Sequence, residues 1–288
     1  MNPGWYILNY HSVDWEDSIL TRALGGTTRP DVFRHQLERM AQAGRFVSIP
    51  EGQARLESGQ PIDEVLFSLW FDDGFAGLVD FARPICDAFD IAPALSICSR
   101  FAEREEMFWR AKLAYLAYAD GMRFVRAKLR KSFKGVPFKI RSWTLEHFDD
   151  RVLAIVDEIY REHTTDAFRR DAFRIFADAD GLKTLADAGW LITNHSAAHW
   201  PLAPGLGWDV VEREYDACEE YVRQFNTDNR YWVIPFAFGS DNYLDALMKR
   251  ATVVEVGERR NTTQTWQQTG RLFRFDAPTR RDVLATLA

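Results

Sequence analysis

The feature of this sequence that most limits its fold is the alternation of short apolar runs with segments of helical periodicity. Runs rich in β-branched and aromatic residues predict buried strands, whereas apolar residues three or four positions apart predict helices. Strands are predicted at residues 5–12, 45–50, 64–71, 92–98 and 190–196, with shorter ones beginning at 231, 252 and 272. Helices are predicted at residues 30–43, with Thr28 as the cap, and at 75–89, 182–189 and 210–225. This order is typical of a parallel sheet or barrel in the α/β class.

One long segment interrupts the alternation. Residues 101–178 are rich in charged and aromatic residues and follow a helical pattern without strands, so we expect a single domain, 1–288, with a helical insertion at about 101–178. Within the insertion, residues 122–145 carry eight Lys or Arg and no Asp or Glu. Such a stretch is either a solvated face that packs on the body, or a contact surface for a phosphate-bearing substrate or an anionic membrane.

The composition argues against several classes of protein. A net charge of −6 argues against general nucleic-acid binding, and 47% apolar residues argue against disorder. Three widely spaced cysteines without a CxxC pair predict buried thiols rather than a disulfide framework. The first residues do not resemble a signal peptide, and no apolar run approaches the ~20 residues of a membrane span, so we expect a cytoplasmic protein.

Chemistry-bearing side chains follow two of the predicted strands. Asp72 and Asp73 end the run SLWFDDGF, and His195 and His199 lie four residues apart in NHSAAHWPL. Because the carboxyl ends of parallel strands open on one face of a sheet or barrel, we expect the two motifs to converge. Two imidazoles and one carboxylate make a three-ligand site for a divalent metal ion that leaves one coordination position open.

The FDDG and HSAAHWPL motifs together resemble those of the polysaccharide deacetylase family, the NodB-homology group. The resemblance extends over most of the chain and includes NYHSVDW near the start and IPFAFGSDN at residues 234–242. It implies a distorted (β/α)7-type barrel and one bound metal ion, most often zinc, with cobalt, nickel or manganese as alternatives. It also implies the removal of acetyl groups from sugars, and hence an acetylated amino sugar as substrate.

The same resemblance assigns roles to individual residues. Asp72 matches the general base of the family, and the matches to its metal ligands are Asp73, His195 and His199. Phe238, in FAFG, matches the aromatic position whose backbone N–H helps to hold the oxyanion. An acetamide is a weak electrophile, and a divalent cation both polarises its carbonyl and activates water, which gives this set of residues a chemical reason.

The chain departs from the family pattern at several positions. Trp70 stands where Thr is common, which makes it a candidate for substrate specificity, and no His follows His199, although the family usually takes its general acid from that region. We hypothesise that His11, which directly follows the first strand, replaces the acid or orients the substrate; the alternative is a structural histidine at the barrel rim. Arg260 and Asn261 are weaker candidates to contact the substrate or to orient Asp72.

The leading interpretation is a metal-dependent N-deacetylase of an acetamido sugar, such as a glycan precursor, a nucleotide- or lipid-linked sugar, or a sugar-containing metabolite. One alternative is an amidohydrolase of a non-sugar amide or imide. Another is a metal- or glycan-binding module that has lost catalysis. The retention of Asp72 beside a metal ligand argues for an enzyme, because a second buried carboxylate is costly and metal binding alone does not need it.

Overall fold

Seven parallel strands close into a barrel in the computed structural model, which describes residues 1–203, 205–237, 243–280 and 282–287. The barrel closes because β1 pairs in parallel with both β5 and β10. The strands are β1 (Gly4–Tyr10), β2 (Ser12–Val13), β3 (Thr27–Thr28), β4 (Arg45–Phe46), β5 (Val65–Phe71), β6 (Ala94–Ile97), β7 (Leu191–Asn194), β8 (Tyr231–Val233), β9 (Thr252–Val256) and β10 (Leu272–Asp276). The barrel order is β1, β5, β6, β7, β8, β9 and β10, with β4 paired to β5 from outside the ring. This architecture confirms the predicted (β/α)7-type barrel.

Helices surround the barrel and fill the segment between β6 and β7. They are α1 (Pro30–Ala43), α2 (Ile49–Glu57), α3 (Arg83–Ala88), α4 (Ser99–Ala102), α5 (Trp109–Tyr118), α6 (Met122–Ser132), α7 (Ile140–Glu146), α8 (Asp150–Glu162), α9 (Asp166–Ala172), α10 (Ala179–Asp187), α11 (Trp208–Val222), α12 (Leu244–Met248) and α13 (Thr263–Thr269). A π-helical turn, Leu78–Ala82, leads into α3, and short 3₁₀ turns lie at Phe173–Ile175, Pro235–Ala237 and Val283–Thr286. Among the described residues, every helix is too short or too polar to cross a lipid bilayer.

The alternation of side chains along each strand decides what lies inside the barrel. In β1, Trp5 and Ile7 join a cluster with Trp70 inside the barrel, whereas Tyr6 and Leu8 pack outward against the helices. Both faces of a parallel strand are therefore buried, which explains why these strands are continuous apolar runs in the sequence. Side chains near the carboxyl ends of the strands point into the mouth of the barrel, where the apolar core ends.

The insertion forms a helical layer with its own apolar core. Residues 101–178, all of which the structure describes, hold α5 to α9 and no strand longer than an isolated bridge. Val125 and Leu129 of α6 are fully buried in this core, which continues to the barrel mouth through Phe108. The predicted helical character is confirmed, while its treatment as an insertion in one domain stays a prediction.

Several local predictions were wrong for identifiable reasons. The cap of α1 is Arg29 and not Thr28, because Thr28 is drawn into pairing with β2. The predicted strand at 45–50 ends at Phe46, because the Ser48 side chain accepts a hydrogen bond from the Glu51 N–H and starts α2. All three cysteines are buried and free, as their spacing predicted.

Candidate metal centre and active site

The predicted metal ligands come together at the carboxyl ends of β5 and β7. Asp73, His195 and His199 are all buried, and their ligand atoms lie within 4.8 Å of one another. The distance from Asp73 Oδ1 to His195 Nε2 is 3.6 Å, and the distance to His199 Nε2 is 3.2 Å. Ligand atoms of a tetrahedral zinc site lie about 3.3 Å apart when the bonds are about 2.0–2.1 Å long, so the spacing suits such a cation.

The hydrogen bonds of the three side chains also suit a cation. Asp73 Oδ1 is buried and accepts no hydrogen bond from any described residue. His195 Nδ1 lies 2.8 Å from the Val233 carbonyl oxygen, to which it donates, and this leaves Nε2 with its lone pair toward Asp73. Burial lowers the pKa of His195 to about 4, although Asp72 and Asp73 partly oppose the effect, so the imidazole is neutral and able to bind a metal.

The backbone explains how two adjacent carboxylates reach the same cavity. Successive side chains of a strand point to opposite faces, and Asp72 follows Trp70 on the inward face. Asp73 has φ of 72°, in the left-handed region, and this turns the chain out of the strand so that its side chain also faces the mouth. Gly74 continues the turn with φ of 77°.

The two carboxylates have different partners. Asp72 Oδ1 accepts hydrogen bonds from Arg274 Nη1 at 2.7 Å and from the Ser96 hydroxyl at 2.5 Å. Arg274 also donates to Asn9 Oδ1 at 2.8 Å, and Trp70 Nε1 donates to the Ser96 hydroxyl at 3.2 Å. Both hydrogen bonds to Asp72 end on Oδ1, so its Oδ2 has no bond to any described residue while the side chain lines the cavity.

Both carboxylates are ionised despite their burial. Burial by itself raises the pKa of Asp72, but Arg274, together with the nearby His195 and His11, outweighs burial and holds the pKa well below its usual range. Burial likewise opposes ionisation of Asp73, and the His199 imidazole lowers its pKa below the ordinary value. The site therefore holds one carboxylate fixed by an arginine and one directed at two imidazoles.

A cavity of about 520 Å³ opens over these side chains. Asp72, Asp73, His195 and His199 form its floor, and the insertion contributes a wall. The ring of Phe108 lies 4.8 Å from that of His199, and Trp109 Nε1 donates to the His199 carbonyl oxygen at 3.3 Å. The insertion thus packs directly on the loop that carries the second histidine.

His11 lies where the sequence predicted, at the rim of the same cavity. Its side chain is half-buried and follows the last residue of β1. Burial raises the pKa of both carboxylates, and the larger opposing effects come from Arg274 on Asp72 and from His199 on Asp73. The imidazole of His11 is close enough to lower both pKa values further. The structure therefore brings a titratable group beside the carboxylates, and its role as an acid stays a prediction.

Other sequence candidates lie elsewhere. Trp70 does not line the cavity, since it is fully buried inside the barrel, where it supports Ser96 and stacks near Arg274. Arg260 lies against Gly4, at the amino end of β1 and so at the end of the barrel opposite the site. Asn261 is buried beside it and bonds to the backbone of Trp5 and Phe273.

Phe238, the predicted oxyanion donor, lies outside the described residues. The preceding Phe236 is described, and its ring lies 4.4 Å from that of His199. Phe236 has φ of 60°, and Ser196 and His199 also have positive φ, at 68° and 56°. Left-handed backbone at non-glycine residues is costly, and its concentration around one cavity is typical of functional sites.

Sequence reasoning did not find the partner of Asp72. Arg274 lies in the strand LFRFD and is only 2% exposed. A signal was present, because a charged residue between two phenylalanines of a buried strand must find a counter-charge inside the barrel. Without the strand pairing, nothing in the sequence says that the counter-charge is Asp72, 202 residues away.

Comparisons with known proteins give matches among solved structures alone. No protein-family model and no curated protein matches the sequence. The deacetylase PplD of Streptococcus pyogenes, in complex with acetate, superposes over the whole of both chains with a TM-score of 0.62 and 15% identity.

Two further solved structures have the same fold. IcaB of Ammonifex degensii has a TM-score of 0.61 and 15% identity, over 99% of this chain and 98% of that one. A de-N-acetylase of Aggregatibacter actinomycetemcomitans has a TM-score of 0.62 and 12% identity, over 98% of this chain and 99% of that one. The chain therefore has the fold of the polysaccharide deacetylases, as its FDDG and HSAAHWPL motifs predicted.

Proposed function

We propose that this protein is a metal-dependent N-deacetylase of an acetamido sugar and a member of the polysaccharide deacetylase family. The observation that carries the proposal is the division of work at the end of β5. Asp73 joins His195 and His199 in a metal-ligand set, while Asp72, the next residue, is held by Arg274 and keeps one oxygen toward the cavity. A metal site for structure alone has no use for the second carboxylate.

Asp73, His195 and His199 would hold the metal ion, which would supply Lewis-acid chemistry by polarising a carbonyl and lowering the pKa of water. Zinc suits the two nitrogen ligands and one oxygen ligand best, with cobalt, nickel or manganese as alternatives. The buried setting of the three side chains strengthens their attraction to the ion, because little water screens it.

Asp72 acts as the general base in this proposal. Its Oδ2 accepts a proton from the attacking water as the oxygen adds to the acetamide carbonyl carbon. Arg274 and Ser96 hold Oδ1 and so fix the direction of Oδ2. Because Arg274 stabilises the ionised form of Asp72, the carboxyl group holds the proton only briefly and releases it to solvent once acetate and the amine have left.

His11 acts as the general acid. The carbon–nitrogen bond breaks when the sugar nitrogen receives a proton, which releases acetate and a free amine. His11 lies at the cavity rim beside both carboxylates and is the histidine there that does not belong to the metal set. The backbone N–H of Phe238 is proposed as a donor to the oxyanion, on the strength of the motif resemblance.

The substitution Asp72→Asn tests the proposal. We expect purified wild-type protein with added zinc or cobalt to release acetate from one or more members of a panel of acetamido sugars. The variant keeps the shape of the side chain but cannot accept the proton, so the rate should fall roughly 10²- to 10⁴-fold. Metal content, measured by atomic emission, should be unchanged.

Three outcomes would contradict the assignment. Acetate release that survives in Asp72→Asn would remove the base from the mechanism. Hydrolysis of cyclic imides by the wild type, with no acetamido sugar consumed, would favour the non-sugar amidohydrolase. Tight metal binding without hydrolysis of either class would favour a binding module.

A further inference from the structure

One buried cation in the cavity has no counter-charge among the residues that the structure describes. Arg110 lies in the first turn of α5 and lines the cavity with only 7% of its surface exposed. Within the described ranges, no carboxylate or other acceptor contacts its guanidinium, and its Nε is buried without a hydrogen bond. The other buried cations differ, since Lys112 pairs with Asp157 and Arg274 pairs with Asp72.

The surroundings of Arg110 hold it in place without neutralising it. Its guanidinium lies over the rings of Trp109, at 4.7 Å, and Phe236, at 5.1 Å. These cation–π contacts stabilise the guanidinium, but neither ring carries a negative charge that could act as a counter-ion. Burial, followed by repulsion from Arg141, lowers the pKa of Arg110 to about 10, so it remains charged at neutral pH.

A second arginine of the insertion reaches the same cavity. Arg141 belongs to the first turn of α7 and also lines the cavity, and no described residue forms an ion pair with it. It is the part of the basic stretch 122–145 that reaches the candidate site. Arg123 and Lys128, of the same stretch, pair instead with Asp120 and Glu158 away from the cavity.

The acidic side chains of the cavity already have partners. Asp72 binds Arg274, Asp73 faces the two histidines, and Asp276 accepts a hydrogen bond from Asn9. A buried guanidinium without a counter-ion is unfavourable, and the nearby positive charge of the exposed Arg141 makes the burial of Arg110 more so. An anion that enters the cavity with the substrate relieves both.

We propose that Arg110 and Arg141 form an anion subsite that binds a phosphate group on the acetamido sugar substrate. This inference rests on the proposed function and narrows its substrate to a sugar phosphate or a sugar linked through a diphosphate. Two guanidinium groups match the charge of about −1.5 to −2 on a phosphate better than the single charge of a carboxylate. The forked donors of arginine also suit the oxygens of a phosphate.

Binding and turnover test the subsite separately. Calorimetry on the metal-loaded protein compares glucose 1-phosphate with glucose, neither of which carries an acetamide. Acetate release compares N-acetylglucosamine, N-acetylglucosamine 1-phosphate and N-acetylmuramic acid, the last of which carries a carboxylate. We expect the phosphorylated sugar in each set to be preferred, by roughly 10- to 100-fold in Kd or KM.

The variants Arg110→Gln and Arg141→Gln should each reduce this preference about 10-fold or more. Arg123→Gln removes a charge from the same stretch without touching the cavity and should retain the preference. Should Arg110→Gln fail to fold, the exposed Arg141 still provides the test. A melting temperature for each variant shows that the fold is kept.

Each result has a defined meaning. Glucose 1-phosphate that binds no better than glucose, or equally well to wild type and both variants, overturns the subsite whatever the deacetylation result. Arginine-dependent phosphate binding without acetate release keeps the subsite and overturns the proposed function. A preference for N-acetylmuramic acid over the phosphorylated sugar would show that the subsite binds a carboxylate and not a phosphate, and it would overturn the proposed substrate class.

Discussion

Two neighbouring aspartates at the end of β5 differ because their surroundings differ. Asp72 follows the alternation of the strand and meets Arg274 and Ser96 inside the barrel mouth. Asp73 leaves the strand in a left-handed conformation and meets His195 and His199. Like charges this close repel, and each is stabilised by its own positive or metal-binding partner. The pair is therefore interpreted as one base and one ligand.

His11 provides a prediction at the same scale. In the variant His11→Ala, the loss of a proton donor should lower the turnover rate roughly 10²- to 10⁴-fold, while metal content stays at the wild-type value. Initial rates of acetate release and atomic emission measure the two quantities.

His35→Ala is the matched control for His11→Ala, because His35 is an exposed histidine on α1. It should behave as wild type. Near-normal turnover in His11→Ala would show instead that His11 is a structural histidine of the rim.

The element that holds His199 is the loop between β7 and α11, and α11 braces it. Glu214 Oε2 accepts a hydrogen bond from the Ala198 N–H at 2.8 Å, and Oε1 lies 3.3 Å from Arg100. The Arg100 N–H in turn donates to the Ala197 carbonyl oxygen at 3.0 Å. This buried network fixes a loop whose left-handed residues would otherwise relax.

Glu214 predicts a pH dependence of stability at the scale of this element. Burial, opposed by Arg100, raises the pKa of Glu214 to about 7, from about 4.5 in the unfolded chain. The folded protein therefore binds more protons than the unfolded chain, so stability falls as pH rises from about 4.5 to about 7, by up to about 3 kcal/mol. Glu214→Gln should remove this loss while keeping an acceptor for Ala198.

Denaturant unfolding at several pH values measures the effect as the difference between wild type and variant. The stability of Glu214→Gln relative to wild type should be greater above pH 7 than at pH 4.5. Glu220→Gln, an exposed change on α11, is the control and should follow the wild-type curve. A constant difference between Glu214→Gln and wild type at all pH values would contradict the raised pKa.

Closure of the barrel is the whole-molecule event that makes the site. Asp73 and His195 are 122 residues apart, and the insertion lies between them. Their strands, β5 and β7, are joined through β6, and β10 closes the ring to bring Arg274 against Asp72. These side chains come together only in the folded protein, so a metal ion that binds all of them would bind the folded state and not the unfolded chain.

Metal binding should accordingly stabilise the whole fold. A ligand present at 100 times its Kd adds about 2.7 kcal/mol, which corresponds to a rise in Tm of roughly 4–5 °C for a domain of this size. We expect this rise when zinc is added to metal-depleted wild type, and its loss in His199→Ala. Calorimetric melting measures both.

His147→Ala, in which an exposed histidine of the insertion is removed, should retain the full rise in Tm. An equal rise in wild type and His199→Ala would place the stabilising metal elsewhere.

The sequence predicted elements wherever a local pattern is strong. The apolar runs of β1 and β5 and the amphipathic face of α11 were predicted because each pattern extends over several residues. The cap of α1 and the end of β4 were missed, because they depend on the pairing of Thr28 and on one hydrogen bond of Ser48. The ends of helices and strands depend on single contacts, and a periodic sequence pattern gives no information about such contacts.

The sequence by itself predicted that the aspartate pair and the two histidines converge, because the carboxyl ends of parallel strands open on one face, and the motif resemblance predicted the barrel. Only the tertiary structure decided that Arg274 is the partner of Asp72, that Trp70 is buried beneath the site and that Arg260 lies at the other end. It also placed Arg110 in the cavity, where none of the described residues supplies a counter-charge. These facts depend on side chains far apart in sequence meeting in one buried space, where unpaired charge is most costly.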